Sequence, residues 1–247
     1  MAADCDGDGV TNGDEIDPDG DGTPGPNGTD PTNPCDFTAG DITVTQGGAF
    51  LAADCDGDGV TNGDEIDPDG DGTPGPNGTD PTNPCDFTAG DITVTQTGAF
   101  LTADCDGDGV TNEDEILDGT DPTNPCDFEA ENISIAQTGV YLDADCDGDG
   151  VSNGDEIFEG TDPLDPCSYD VSNQDLSIVT NEWLNLDCDR DGVTNEVEIL
   201  EGTDPLNPCD FTFEDQDLET VSDEWLALDC DEAVSYTHLT LPTTPYV

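Results

Sequence analysis

The chain has 247 residues, of which 62 are Asp or Glu and one is Lys or Arg, so its formal net charge is −61. This charge excludes electrostatic binding to nucleic acid or to an anionic membrane surface, and no apolar run is long enough to predict a transmembrane helix. Hydrophobic residues make up 32% and aromatic residues 6%, which is typical of chains that cannot fold on a hydrophobic core alone. Such a chain should attract cations.

Internal repetition organises almost the whole chain. The stretch DCDGDGVTNGDE begins at Asp4 and returns 50 residues later at Asp54, and three looser copies begin at Asp104, Asp145 and Asp187, after intervals of 50, 41 and 42 residues. The predicted boundaries are repeat 1 at 1–53, repeat 2 at 54–103, repeat 3 at 104–144, repeat 4 at 145–186, repeat 5 at 187–228 and a truncated repeat 6 at 229–232.

Both ends depart from the repeat. Residues 234–243, VSYTHLTLPT, resemble an in-frame translation of a sequencing adapter, so 233–247 is excluded from the fold prediction. Met1 stands where the next repeat has Leu51, which predicts that the chain is a fragment of a longer protein. Residues 2–46 and 52–96 are identical, which indicates either a recent duplication or an assembly error.

Each repeat has four predicted parts. An acidic loop leads into a short helix, and Gly119, Gly160 and Gly202 stand where the last three of these helices should end. The segment GTDPxxPC follows as a turn, because its prolines prevent helix. A spacer of about 20 residues completes the unit. In the early repeats the spacer alternates as DITVTQTGAFLTADC and predicts a strand, whereas VTNEWLNLDC and VSDEWLALDC predict a capped helical turn.

The alternating carboxylates of the acidic loop match the pattern D-x-[DN]-x-[DN]-G-x5-E. A hard dication requires about seven oxygens at about 2.3–2.6 Å. Three Asp, one backbone carbonyl, one Asn or its water and a bidentate Glu supply that number, and calcium fits better than magnesium because magnesium demands stricter octahedral geometry. In repeat 1 these residues are Asp4, Asp6, Asp8, Val10, Asn12 and Glu15.

Four further loops match in register, which indicates metal sites rather than a solvated acidic linker. The corresponding residues are Asp54, Asp56, Asp58, Val60, Asn62 and Glu65; Asp104, Asp106, Asp108, Val110, Asn112 and Glu115; Asp145, Asp147, Asp149, Val151, Asn153 and Glu156; and Asp187, Asp189, Asp191, Val193, Asn195 and Glu198. The residue at loop position 11 is not a predicted ligand, because it is Asp in four loops but Val197 in the fifth.

The two long repeats carry nine extra residues that form a second acidic loop, here called the insert loop. Its predicted ligands are Asp17, Asp19, Asp21, Thr23 and Asp30 in repeat 1, and Asp67, Asp69, Asp71, Thr73 and Asp80 in repeat 2. The alternative interpretation is a Gly/Pro-rich loop without a metal. Asp121, Asp162 and Asp204 of the GTDP turns either cap the neighbouring site or only shape the turn.

The stretch DxDGDGVTNxDE followed by GTDPxNP resembles the bacterial thrombospondin type 3 repeat, and the loop is similar to those of dockerins and EF-hands. The resemblance covers nearly the whole chain except the spacers. It implies calcium-binding segments of secreted or surface proteins. Loop position 8 holds Thr11 or Ser152 where an EF-hand has an apolar residue for pairing, so paired EF-hand geometry is not expected.

Eleven cysteines at fixed spacings favour disulfides and an oxidising compartment. Metal-binding thiolates are disfavoured, because there is no CxxC pair and the only histidine, His238, lies in the tail. Pairing within a repeat would close 30 or 21 residues, whereas pairing across the spacer always closes 20 or 21. The second scheme is favoured and pairs Cys35–Cys55, Cys85–Cys105, Cys126–Cys146, Cys167–Cys188 and Cys209–Cys230.

Each repeat has little material for a core. The expected members are the Ile after the loop, a few spacer residues and the aromatic residue after the cysteine. Trp183 and Trp225 are expected to join these cores rather than bind sugar. Units of this size rarely fold without help, so ion binding and folding should be one event. The NGT motifs at Asn27 and Asn77 are interpreted as turns, and NIS at Asn132 as chance.

These features predict a small irregular repeat protein of tandem calcium-loop and short-helix units, with disulfide-closed spacers, in an extended array with little regular secondary structure. The favoured function is a calcium-rigidified stalk in a larger secreted or cell-surface, adhesin-like protein. The alternatives are a dockerin-like or adhesive partner-binding module, and calcium storage or mineral templating. An enzyme is not expected, because no Lys, credible His or free thiol is left for catalysis. The expected partners are calcium ions, other domains of a longer chain or a surface ligand.

Overall fold

The computed structural model describes residues 3–72, 74–228 and 230. The adapter-like tail at 233–247 and all but one residue of the truncated repeat at 229–232 lie outside the described residues. The chain divides into two compact units, Met1–Tyr141 and Leu142–Val247. The described residues form short helices and turns and no strand, which confirms the predicted repeat architecture with little regular secondary structure.

One short helix, here called the exit helix, leaves each acidic loop. The exit helices are α1 (Asn12–Ile16), α2 (Asn62–Ile66), α4 (Asn112–Asp118), α6 (Asn153–Glu159) and α8 (Asn195–Glu201). In α4 the Thr111 hydroxyl caps the helix start by accepting from the Asp114 N–H, so the polar residue at loop position 8 begins a helix instead of pairing loops. Gly119 ends α4 in the left-handed conformation, with φ of 85°, as predicted for it and its two equivalents.

The later spacers contain the predicted capped helical turns. In the early spacers, no described residue forms the predicted strand. The spacer helices are α3 (Gly98–Thr102), α5 (Gly139–Asp143), α7 (Asn181–Leu184) and α9 (Asp223–Leu226), and single 3₁₀ turns cover Ala39–Asp41, Ala89–Asp91 and Ala130–Asn132. The Thr180 hydroxyl accepts from the Trp183 N–H and caps α7. The strand prediction was therefore wrong.

The reason is that each spacer folds back onto the acidic loop of its own repeat. In repeat 1 the backbone N–H groups of Thr43 and Val44 both donate to the Gly9 carbonyl, at 2.8 and 3.0 Å, and the Phe50 N–H donates to the Asp6 carbonyl at 3.1 Å. Spacer donors that a sheet would use are thus satisfied by loop carbonyls. The alternating apolar residues do not form a buried face, since Ile42 and Val44 are each 38% exposed.

Each repeat has its own small aromatic core. The aromatic residue after the cysteine meets a second aromatic residue from the spacer edge to face, with ring centroids 5.4–5.9 Å apart. The pairs are Phe37–Phe50, Phe87–Phe100, Phe128–Tyr141, Tyr169–Trp183 and Phe211–Trp225. Val at loop position 7 is buried in all five repeats. The prediction that the Ile after the loop is a core residue was wrong for repeats 1, 3 and 4; Ile116, for example, is 44% exposed.

Successive repeats also share core residues within the second unit. Val151, Tyr169 and Trp183 of repeat 4 form a buried cluster, and Ile199 and Leu206 of repeat 5 pack against it. The indole N–H of Trp183 donates to the Pro166 carbonyl at 2.8 Å, so both the apolar and the polar part of this side chain are satisfied inside the protein. This burial confirms the core role predicted for Trp183.

The disulfides cross the spacers, as the constant span predicts. The observed bonds are Cys35–Cys55, Cys85–Cys105, Cys167–Cys188 and Cys209–Cys230. Cys126 and Cys146 are also disulfide-bonded, and Cys5 is free and exposed. Each bond closes 20 or 21 residues, which should stabilise the folded repeat by roughly 3 kcal/mol.

We expect Phe100→Ala to unfold repeat 2 locally. Phe100 is fully buried, and truncation of a buried Phe costs about 3–5 kcal/mol. Amide hydrogen exchange in calcium should show a matching loss of protection at the Phe100 N–H, which is bonded to the Asp56 carbonyl. Leu117→Ala is the control, because Leu117 is 76% exposed and should change stability by less than about 0.5 kcal/mol. Equal effects of the two substitutions would contradict this assignment of the core.

Candidate metal centres

The acidic loop curls so that its alternate carboxylates converge. In repeat 2 the two carboxylate oxygens of Asp54 accept from the N–H groups of Gly57 and Gly59, at 2.8 and 3.1 Å. Asp58 Oδ1 accepts from the Val60 N–H at 2.8 Å. One oxygen from each of the three Asp residues in repeats 1, 2 and 3 lies within 4.8 Å of the other two. Sequence alternation therefore does place these side chains on one inner surface.

A glycine at loop position 4 lets the spacer approach this curl. Gly57 has φ of 85°, and a Cβ there would collide with the Thr97 carbonyl oxygen. The fifth loop has Arg190 at the same position, with φ of 63°. Arg190 is the only Lys or Arg in the chain. Its backbone adopts a conformation that normally favours glycine.

Several buried carboxylate oxygens in these loops lack a hydrogen-bond donor among the described residues. In repeat 3 they are both side-chain oxygens of Glu115 and one oxygen each of Asp106 and Asp108. The equivalent oxygens in the other repeats belong to Asp6, Asp8 and Glu15; Asp56, Asp58 and Glu65; Asp147, Asp149 and Glu156; and Asp189, Asp191 and Glu198. A buried anionic oxygen without a donor is costly, so these atoms require a positive charge beside them.

The electrostatics of the glutamate at loop position 12 give the same indication. Burial, followed by repulsion from Asp106 and Asp108, raises the pKa of Glu115 to about 8. The same causes raise the pKa of Glu65, Glu156 and Glu198 to about 8 and that of Glu15 to about 7. The loops thus bring together charges that oppose each other unless protons or a cation are present.

This donor set fits a hard divalent cation. Carboxylate oxygens converge from loop positions 1, 3 and 5. The glutamate at position 12 is close enough for these charges to raise its pKa. Oxygen-only coordination of this kind suits calcium, which accepts mono- and bidentate carboxylates in a flexible geometry. The carboxylates at positions 1, 3, 5 and 12 would hold the ion.

The asparagine at loop position 9 closes the loop. Asn62 Oδ1 accepts from the Cys55 N–H at 3.1 Å, and its Nδ2 contacts Cys55 Sγ at 3.0 Å. The other four repeats repeat the first contact at 3.0–3.3 Å. An amide oxygen has a second lone pair, so the ligand role of this residue stays a prediction. Its role as a clamp between the metal loop and the disulfide was missed, because the motif specifies only a polar residue.

A threonine outside the motif also reaches the site. Thr29 of the GTDP turn donates from its hydroxyl to Glu15 Oε1 at 3.3 Å, and its N–H donates to the Glu15 carbonyl at 3.1 Å. Thr79 and Glu65 repeat both contacts, at 3.1 and 3.0 Å. These contacts position the glutamate. Because each threonine lies 14 residues after its glutamate, no local sequence pattern predicts this contact.

The aspartate of the GTDP turn shapes that turn, and its alternative role of capping the neighbouring site stays a prediction. Asp121 Oδ1 accepts from the N–H and the hydroxyl of Thr123, which shapes the turn. It is also close enough to Glu115 to contribute to the raised pKa of that glutamate. Asp162 and Asp204 each accept from the backbone N–H two residues later, at Leu164 and Leu206. They also contribute to the raised pKa of Glu156 and Glu198. These aspartates therefore form an outer acidic layer.

The insert loops bring three of their predicted ligands together, but on an exposed surface. Oxygens of Asp17, Asp19 and Asp21 lie within 4.8 Å of one another, as do those of the equivalent residues in repeat 2. Hydrogen bonds from the hydroxyl and N–H of Thr23 lower the pKa of Asp21. Asp30 Oδ1 accepts from Thr32 instead, as Asp80 does from Thr82, so a ligand role for either stays a prediction. Thr73 lies outside the described residues.

The acidic loops match a known family of repeats. A family model described as the bacterial TSP3 repeat matches residues 4–17, 54–67, 104–125, 145–166 and 187–208. No curated protein and no solved structure matched the chain. The five matches coincide with the acidic loops and, in repeats 3 to 5, extend through the GTDP turns. Repeats of this family are calcium-binding. In addition, none of the helices in the described part of the chain has the length and apolarity needed to span a bilayer.

Without a bound cation, the folded loops should lose stability as the pH rises. Folding raises the pKa of Glu115 from its ordinary value of 4.5 to about 8, so the folded state holds more protons between these values. This contribution is complete below the unfolded pKa and is lost as the pH rises through the folded one. Circular dichroism of the chelator-treated chain should therefore show more helix at about pH 5 than at about pH 8.

Two substitutions in α4 distinguish the titration of Glu115 from an effect of the overall negative charge of the chain. Glu115→Gln removes the titrating group and should make the amide protection factors in repeat 3, which are corrected for intrinsic exchange, less dependent on pH. Glu113→Gln removes an exposed charge from the same helix and should leave that dependence unchanged. More helix at the higher pH in the chelated wild-type chain would contradict the prediction.

Proposed function

We propose, from the premise that this chain contains five tandem repeats of the bacterial thrombospondin type 3 family, that it is a calcium-rigidified stalk or spacer. The stalk would belong to a larger secreted or cell-surface, adhesin-like protein and would have no catalytic role. The observation that carries the proposal is the set of buried carboxylate oxygens without donors in all five acidic loops. Calcium would satisfy these oxygens and hold each loop against its spacer.

Stiffness would arise because each spacer connects two acidic loops: it bonds to the loop of its own repeat, and a disulfide ties it to the loop of the next repeat. The spacer of repeat 1 bonds to the carbonyls of Asp6 and Gly9 in the acidic loop. The chain then leaves the spacer through Cys55, which is bonded to Cys35. Repeats that contact mainly their neighbours form arrays whose stability is a sum of local terms. Loss of the ion would therefore loosen every unit rather than one domain.

An oxidising, calcium-rich compartment suits this arrangement. Ten cysteines are disulfide-bonded, as is typical of extracellular proteins. Extracellular calcium modules bind with dissociation constants of about 10⁻⁴–10⁻³ M. Even seven dications would leave most of the formal charge of −61 uncompensated, and this charge would keep neighbouring stalks apart.

Calcium removal should unfold the repeats. Because the hydrophobic cores are small and the loop charges repel each other, ion binding supplies the missing folding free energy. At a pH above the raised pKa of Glu115, about 8, chelation should abolish the helical circular-dichroism signal and increase the radius of gyration measured by small-angle scattering. Re-addition of calcium should reverse both changes. If scattering curves with and without calcium superimpose, the proposed coupling is incorrect.

Glu115→Gln should abolish calcium binding at the third loop only. Both side-chain oxygens of Glu115 are buried without donors, and loss of a ligand should cost at least about 100-fold in affinity, since even outer partners cost 10–100-fold. Isothermal titration calorimetry should show one site fewer than in the wild-type chain. Glu113→Gln, on the exposed side of the same helix, is the matched control and should keep the full number of sites.

A second candidate function is partner binding, and one observation favours it. Leu117, Phe158 and Leu200 occupy equivalent positions on exit helices and are 76%, 88% and 79% exposed. Each is followed by an acidic residue, so charge complementarity selects a partner with basic residues around apolar pockets. A second copy of this chain would be repelled by its own charge.

A basic amphipathic helical peptide can discriminate the two functions. If these exposed apolar residues bind a partner, part of the peptide's binding to the calcium-loaded chain should survive in high salt. That part should disappear when all three residues are changed to Gln. For a stalk alone, salt should abolish the binding equally in both chains, because only diffuse charge attraction remains.

A further inference from the structure

Five Asn–Gly dipeptides recur in this chain, and they occur in two different environments. Three lie at loop position 9 and begin exit helices: Asn12–Gly13, Asn62–Gly63 and Asn153–Gly154. Two lie in the turns of the long repeats: Asn27–Gly28 and Asn77–Gly78. Asparagine before glycine is the dipeptide most prone to cyclise, because glycine has no side chain to hinder attack by its own nitrogen.

In the turns, the reacting groups are accessible. Gly25, Pro26, Asn27 and Gly28 form a four-residue turn in which the Gly28 N–H donates to the Gly25 carbonyl at a long 3.4 Å. The Asn27 side chain is exposed. The repeat 2 turn has the same hydrogen bond at 3.3 Å. Weak backbone bonding and exposure leave the amide nitrogen and the side-chain carbon free to approach each other.

In the acidic loop of repeat 2, both reacting groups are held. Asn62 is buried, and its Oδ1 accepts from the Cys55 N–H at 3.1 Å. The attacking nitrogen would be that of Gly63, which donates to the Leu51 carbonyl at 3.0 Å. Asn62 is also the first residue of α2, so its backbone is fixed in helical geometry. Cyclisation at this position would first require the loop to open.

We propose that Asn27 and Asn77 are spontaneous deamidation and isoaspartate sites, whereas the buried Asn62 and Asn153 of the acidic loops are protected while the loops stay folded. At Asn27, the Gly28 nitrogen loses its proton to solvent base and bonds to Asn27 Cγ. The Cγ–Nδ2 bond breaks, and the nitrogen leaves as ammonia after taking a proton from solvent. Water then opens the succinimide at either carbonyl, which yields aspartate or isoaspartate and adds one negative charge.

The turn is directly connected to the neighbouring metal centre. A Cβ at residue 28 would collide with the Glu15 carbonyl oxygen, and one at residue 78 would lie 2.6 Å from that of Glu65. The next residue, Thr29, bonds to both the backbone and the carboxylate of Glu15. Isoaspartate inserts an extra methylene into the backbone before this contact. It should therefore weaken the first two acidic loops, a consequence that depends on the calcium function proposed above.

Peptide mapping of the incubated full-length chain tests the modification. The calcium-loaded protein is kept at mildly alkaline pH, digested with an Asp- or Glu-directed protease and analysed by mass spectrometry with enzymatic isoaspartate labelling. Peptides containing Pro-Asn-Gly-Thr should gain the mass of an amide-to-acid exchange and become labelled. The Asn62 and Asn153 peptides should stay unmodified in calcium and become modified in chelator.

Two results would overturn the proposal. One is an unmodified Asn27 or Asn77 over a period in which the free peptide Pro-Asn-Gly-Thr is converted. The other is conversion of Asn62 at the same rate as Asn77 in calcium. The control is the double variant Asn27→Gln, Asn77→Gln, because glutamine would have to form a less favourable six-membered ring. Gly28→Ala is unsuitable, since the added Cβ meets the Glu15 carbonyl.

Calorimetry of the incubated proteins tests the consequence separately. After incubation, two sites of the wild-type chain should bind calcium about 10-fold more weakly, as expected when an outer contact to a ligand is disturbed. The double Gln variant should keep its affinity. Equal affinities despite confirmed isoaspartate would refute the link to Glu15 and Glu65. Absence of calcium binding before incubation would refute the proposed function instead and leave the mapping result intact.

Discussion

Repulsion among carboxylates inside each acidic loop is the constraint on which the rest of the structure depends. Asp106, Asp108 and Glu115 are buried together, and burial with mutual repulsion raises the pKa of Glu115 to about 8. A fold that concentrates negative charge in this way is stable only with protons or a cation at the same place. The surrounding features can be understood as means of keeping these side chains converged once the charge is balanced.

Three kinds of contact keep the loop closed. The spacer contributes backbone donors to the Gly9 carbonyl, the exit helix contributes the Asn12 side chain to the Cys5 N–H, and the GTDP turn contributes Thr29 to Glu15. The spacer and turn contacts come from segments that are distant in sequence. A change in a turn or a spacer can therefore alter the geometry of an acidic loop without replacing any of its carboxylates.

The cores of the repeats are small, but they are not independent. Trp183 of repeat 4 is packed with Ile199 and Leu206 of repeat 5, while the disulfides fix each spacer at both ends. Short-range packing and covalent closure thus replace the single large core of an ordinary domain. The stability of the chain is therefore distributed over many small units instead of residing in one core.

The sequence by itself determined the tandem repetition, the acidic curls, the left-handed glycine at the ends of α4, α6 and α8, and the disulfides across the spacers. Each of these depends on local patterns: alternation, a residue needed for positive φ, or a constant span. Only the tertiary structure decided that the alternating spacer is not a strand, that Ile116 faces solvent while Phe100 is buried, and that Asn62 clamps Cys55. Those outcomes depend on which distant backbone groups supply hydrogen-bond partners and apolar contacts, and local periodicity carries no information about that choice.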